Sequence, residues 1–139
     1  RYEVLVHDYT NHLQIESRIL GEMVVNQIVP ACIEYQNKLI ENIDGMKDLK
    51  LDAELYAPQL DILKSVATNT ATLIKLAAEM KKLRVQGNDL DNPRDQASLY
   101  CDKIKPLMEA IREASDELET VVDDNLWPLS KYREMLFSK

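Results

Sequence analysis

The chain has little of what breaks helices or builds strands. Its 139 residues include 3 glycines and 5 prolines. Glycine this sparse leaves no room for a phosphate-cradling glycine loop, and turns of the Asn-Gly or Asp-Gly kind are nearly missing. Asp44-Gly45 is the one instance, and no alternating strands flank it. Aromatic residues make up 6%, with a single Trp and a single Phe. No apolar run is long enough to cross a bilayer, since the longest uncharged stretch is Met23 to Ile33. Positive charge is not in surplus either. The net charge of −7 argues against a nucleic-acid binder, because a phosphate backbone needs a basic surface.

Reactive residues are equally scarce. The two histidines, His7 and His12, are five apart and do not share a helical face. There is no His-Glu-x-x-His and no Glu-x-x-His, so a metal bundle lacks its ligands. His12 and Glu16 are spaced for a local pair. The two cysteines, Cys32 and Cys101, lie inside helical apolar patterns and read as reduced, buried thiols of a cytoplasmic protein. Neither has a histidine near enough to activate it. The basic cluster Lys81, Lys82 and Arg84 falls near an expected helix C-terminus, where cations suit the macrodipole. The acidic run Asp116, Glu117, Glu119, Asp123 and Asp124 reads as a solvated or locally paired face.

What is present is helical periodicity. Hydrophobic residues make up 45% and charged residues 29%, the balance of one folded domain. Leu20, Val24, Ile28, Ala31, Tyr35 and Leu39 stack on one face of a first helix, over 1–43. Val25, Val29, Ile33 and Ile40 add a second stripe, so this helix should pack on more than one neighbour. Pro30 should kink it. Gly45 is the natural terminator. A second helix is expected over 52–86, with the heptad seam Ile62, Val66, Asn69, Leu73, Leu76, Met80 and Leu83. Gly87 suits its C-terminal cap. Asn92 as N-cap and Pro93 in the first turn open a third helix over 93–123. Its seam is Ala97, Cys101, Ile104, Met108, Ile111, Ser115, Leu118 and Val122, interrupted by Pro106.

Short connections between long helices give antiparallel neighbours. The expected fold is an all-α, up-down-up bundle of three long antiparallel helices, the first and third kinked at proline, with a tail over 125–139. A helix of 43 residues spans about 65 Å and the others about 45 to 50 Å. The first turns should therefore overhang, leaving Tyr2, Leu5, Val6 and Tyr9 uncovered. The tail carries a second apolar set, Trp127, Tyr132, Met135, Leu136 and Phe137. Exposed groups of this size mark contacts. The contact candidates are Tyr2, Leu5, Val6, Tyr9, Trp127, Tyr132, Leu136 and Phe137. Periodicity running from Arg1, with no leading Met, reads as a segment of a larger protein.

The segment Leu126-Trp127-Pro128-Leu129-Ser130-Lys131-Tyr132-Arg133-Glu134-Met135-Leu136-Phe137 resembles the close of the type III glutamine synthetases. Arg1-Tyr2-Glu3, Gln27-Ile28-Val29-Pro30-Ala31, Tyr100-Cys101-Asp102 and Met108-Glu109-Ala110-Ile111-Arg112 resemble other parts of that family's C-terminal helices. Ser130 departs from a Pro-x-Pro-like tail. The resemblance implies a parent ligase that joins glutamate and ammonia using ATP and divalent metal. It implies no catalytic, cofactor or metal residue in this chain, because the family's site motifs align to none of it. The expected role is a non-catalytic helical region bracing the catalytic domain or the subunits of a homo-oligomer. A free-standing helical adaptor is the alternative.

Overall fold

A computed structural model describes residues 2–129, without the side chains of Tyr2, Glu3, Val4 and Val6. The described residues are helical, with no strand. Helix α1 (Tyr2–Met23) passes through a π turn (Val24–Ile28) directly into α2 (Val29–Asp48). A short 3-10 turn (Ala53–Leu55) leads to α3 (Ala57–Asn88). Then α4 (Pro93–Leu99) runs through a second π turn (Tyr100–Ile104) into α5 (Lys105–Val121). The expectation of three long helices is corrected to two long rods and a shorter third. Val122, in extended conformation with ψ 139°, ends the third rod.

The two π turns answer the two internal prolines. In an α-helix a proline lacks the donor for the carbonyl four residues back, and its ring strikes that carbonyl, at a cost of about 3 kcal/mol or more. Here the residue before each proline bonds five residues back instead. Val29 N–H donates to the Val24 carbonyl, and Lys105 N–H to that of Tyr100. The wider turn carries the backbone past Pro30 and Pro106 without breaking either rod.

The inserted turn also shifts the buried row. The seam expected at Cys101 passes through Tyr100, which is fully buried, while Cys101 is exposed. Beyond the turn the row returns to Ile104, Met108, Ile111, Leu118 and Val122, all buried. From the first rod Leu13, Val24, Ile28, Cys32, Leu39 and Ile43 are buried, and from α3 Val66, Leu73, Ala77 and Met80. Each large side chain so enclosed contributes roughly 1.5–3 kcal/mol. In the second stripe of the first rod Val29 is buried, but Val25, Ile33 and Ile40 are exposed.

Helix ends depart from the glycine signals. The first rod does not stop at Gly45 but runs to Asp48. Lys50 takes the left-handed conformation, with φ 59°. Lys50 N–H donates to the Lys47 carbonyl at 2.9 Å, and Leu51 N–H to that of Met46 at 3.1 Å. That pair of bonds is a Schellman cap built on lysine. Gly87 is not a cap either, because α3 continues to Asn88. It is buried where a Cβ would lie 2.9 Å from Leu99 Cδ2 and 3.1 Å from Tyr100 Cε2. Glycine is there to let Tyr100 in. The start of α4 follows expectation, with Asn92 Oδ1 accepting from Arg94 N–H at 2.8 Å and Pro93 in the first turn.

Candidate functional site

The rods meet through polar pairs as well as apolar rows. Between the first rod and α3, Gln14 Nε2 donates to Asn88 Oδ1 at 3.2 Å, and Gln36 Nε2 to Thr70 Oγ1 at 3.2 Å. Thr70, almost fully buried, donates in turn to the Val66 carbonyl at 2.7 Å. Asn69 was the polar seam residue read from the sequence, yet the cross-bundle bond belongs to its neighbour Thr70. Burial pushes the Cys32 thiol above its ordinary range, with a Thr70 hydrogen bond partly opposing the shift. Both cysteines are free.

A second polar knot joins all three rods at the α3 C-terminus. Tyr100 Oη donates to Asn88 Oδ1 at 3.0 Å, and Gln96 Nε2 to the Gly87 carbonyl at 3.0 Å. Burial raises the Tyr100 phenol pKa, and the nearby Arg84 charge works against that rise. Between the first and third rods, Lys105 Nζ donates to Tyr9 Oη at 3.3 Å, and Arg112 lies 4.0 Å from Glu16. The hydrogen bond from Lys105 to Tyr9 is the main reason the lysine pKa is raised. The local pair expected of His12 and Glu16 is present at 2.9 Å.

The contact candidates fall into three groups. Leu5 is 67% exposed and Tyr9 43% exposed, at the start of the first rod. Trp127 is not uncovered as expected, since it is only 7% exposed and belongs to the bundle's own core. The chain reverses after Val122, where Asp123 accepts Asn125 N–H on its side chain at 2.9 Å and Trp127 N–H on its carbonyl at 3.0 Å. Lys38 of α2 lies 3.8 Å from the Asp123 carboxylate. This turn returns the indole to the bundle, against the expectation that the tail set stays open. The side chains of Tyr2 and Val6, and all of Tyr132, Leu136 and Phe137, lie outside the described residues.

Sequence reasoning assigned Val25, Ile33 and Ile40 to a packed second stripe and did not single out Ile15 and Ile19, yet all five are exposed. The signal was the width of the first rod's apolar arc, which is broader than two neighbouring rods can cover. Among the described residues no group of three or more His, Cys, Asp or Glu is placed to hold a metal ion. No described helix is long and apolar enough to cross a membrane.

Comparison with known proteins gives this helical frame its place. The family model of the glutamine synthetase C-terminal domain matches residues 1–47, nearly the whole first rod. A glutamine synthetase of Bacteroides fragilis (strain YCH46) is 37% identical over 142 aligned positions, covering 100% of this chain and 20% of the relative. The type-3 glutamine synthetase of Dictyostelium discoideum is 27% identical over 140 positions, covering 99% of the chain and 19% of that protein. A glutamine synthetase of Butyrivibrio fibrisolvens is 28% identical over 138 positions, covering 99% and 20%. The chain thus spans about a fifth of the length of the relatives it matches. The chain is similar along its whole length to part of these glutamine synthetases, and its residues 1–47 match the C-terminal domain of that family.

Proposed function

We propose that this chain is a non-catalytic brace within an ATP-dependent glutamate–ammonia ligase of nitrogen metabolism, working in the cytoplasm. Its rods run up, down and up. Supporting that course, residues 14, 36 and 46 of the first rod bond to 88, 70 and 59 of the second. Residues 9 and 16 meet 105 and 112 of the third. In this reading ATP and divalent metal belong to the remaining four fifths of the parent. The bundle contributes stiffness and surface. Its partners are the catalytic domain of its own chain and neighbouring subunits of a homo-oligomer.

The observation that carries the proposal is the exposed apolar surface of the first rod, from Leu5 to Ile40, on a bundle whose core is already closed. Rods held together by buried rows do not need those side chains for their own folding. Where such side chains form a contiguous patch, they mark a contact surface. The test places Leu5→Glu and Ile33→Glu in the full-length protein. Light scattering reports assembly mass and amide exchange reports α3. Reduced assembly or reduced activity, with α3 still protected, is expected. Unchanged mass and unchanged activity would reject the brace.

A further inference from the structure

The basic cluster Lys81, Lys82 and Arg84 does not occupy the place the sequence suggested for it. Helix α3 continues to Asn88 and has no basic residue in its last turn. The macrodipole acts within that turn and fades before it reaches Lys81. Helix-end electrostatics therefore leave the cluster unexplained.

The structure gives it another setting. Lys81 and Arg84 are three apart on one face of α3 and line a cleft of about 380 Å³ against the first rod. Arg18 enters the same cleft from α1. The lining holds three cations against one carboxylate, Glu22. None of these four side chains forms an ion pair among the described residues, although the chain as a whole is acidic. Gly21 and Ala77 also line the cleft, and a Cβ added at Gly21 would already stand 3.4 Å from Met80 Cε. The first π turn opens directly beside the cleft, and its residues Val25 and Asn26 form part of the rim.

Arg84 adds the second observation. Its Nε is closed off from water and has no acceptor within the described residues. An arginine donor left in that state costs roughly 1–3 kcal/mol or more, unless something outside the bundle accepts from it. Arg84 and Arg18 also line an adjoining cleft with Gln14, Asn88, Gln96 and Tyr100, so both arginines border both hollows. Arg84 also reaches the Tyr100 hydroxyl, and the guanidinium donors that Arg18 and Arg84 bring to the clefts from two helices suit the oxygens of a carboxylate or phosphate.

We propose that Arg18, Lys81 and Arg84 form a binding site for a small oxyanion, phosphate or dicarboxylate, between the first rod and α3. The anion would draw the two helices together across the π turn. In the proposed assembly the site is an effector or ion site, separate from any part of the chain that performs chemistry.

The experiment uses the full-length protein at matched ionic strength. Equilibrium dialysis measures binding of inorganic phosphate in one arm and succinate in the other. Wild type is compared with R18Q/K81Q, and with K75Q/K82Q, which removes the same charge from outside the cleft. Wild type should bind one more anion per chain than R18Q/K81Q, or bind it at least about tenfold more tightly. K75Q/K82Q should behave as wild type. The arm that shows the difference tells phosphate from dicarboxylate. Equal binding by wild type and R18Q/K81Q in both arms overturns the site, as does an equal loss in K75Q/K82Q. Selenate diffused into crystals of the unmodified protein gives a check independent of folding. Where the phosphate arm shows the difference, an anomalous peak between Arg18 and Arg84 is expected, and a cleft empty of selenate would then overturn the proposal.

Discussion

Moving the glycine by five residues, from Gly45 to position 50, should stabilise the chain twice over. Gly45 sits inside α2, exposed, with nothing within 4 Å of an added Cβ. Glycine in a helix interior costs about 0.8–1.0 kcal/mol relative to alanine, because the unfolded chain loses more freedom on folding. Gly45→Ala should recover that amount. Lys50 stands in the left-handed region, φ 59°, where a side chain costs about 1–2 kcal/mol. Lys50→Gly removes that strain, while the more flexible unfolded chain takes back about 0.4–1 kcal/mol. The net gain at Lys50 is about 0.5–1 kcal/mol. The double variant should gain about 1.5 kcal/mol, with some coupling because the two sites share one helix end. Thermal unfolding followed at 222 nm should rise by about 3–5 °C per kcal/mol for a chain of this size. The opposite model, in which Gly45 ends the helix in left-handed geometry, predicts that Gly45→Ala is destabilising by about 1 kcal/mol. A lowered midpoint for Gly45→Ala, or for Lys50→Gly, would refute the cap described here.

The same substitution at the next glycine should have the other sign. Gly87→Ala gains about 1 kcal/mol of helix propensity but forces a methyl against Tyr100 and Leu99, an overpacking worth about 1–3 kcal/mol, so urea unfolding should show a net loss of about 1 kcal/mol. The cysteines should separate cleanly under a thiol reagent at pH 8. Cys101, exposed, reacts in the native protein, whereas Cys32, buried and with its pKa raised, reacts on unfolding; equal native rates would contradict the burial.

Much of the bundle was legible because helical periodicity survives whatever surrounds it. The rows Leu20, Val24, Ile28 and Leu39, and Ile104 through Val122, follow from side-chain spacing alone, and so does the Asn92-Pro93 start. What could not be read was how the backbone would meet its prolines. A kink and a widened turn obey the same steric rule, but they have different consequences for register. A kink keeps the numbering of the buried row and bends the rod. A π turn shifts the row by one residue, whether or not the rod also bends. The second outcome exchanges Cys101 for Tyr100, and the exchange reaches well beyond one position. A tyrosine ring needs more room than a thiol, and Gly87 supplies it. Its hydroxyl needs a partner, and Asn88 serves as one, which in turn takes Gln14 from the first rod. Gly87 read as a helix end and Cys101 read as core are thus a single misreading, with Pro106 as its source.

The first rod repeats the device at Pro30, and there the consequence faces outward. The π turn at Val24–Ile28 separates the apolar side chains before it from those after it. The buried row runs through the turn as Val24 and Ile28 and continues with Cys32 fully buried beside Ala31, the residue expected there. In the flanking row Val25, Ile33 and Ile40 are exposed. A straight α-helix with this sequence would have been read as central to a larger bundle. The described residues supply only two neighbouring rods, so the width of the apolar arc has to be accounted for by something beyond them. Tail burial points the same way. Trp127 is taken up by the bundle's own core, which leaves the outer stripe of the first rod, and not the indole, as the surface with the greater need of a neighbour.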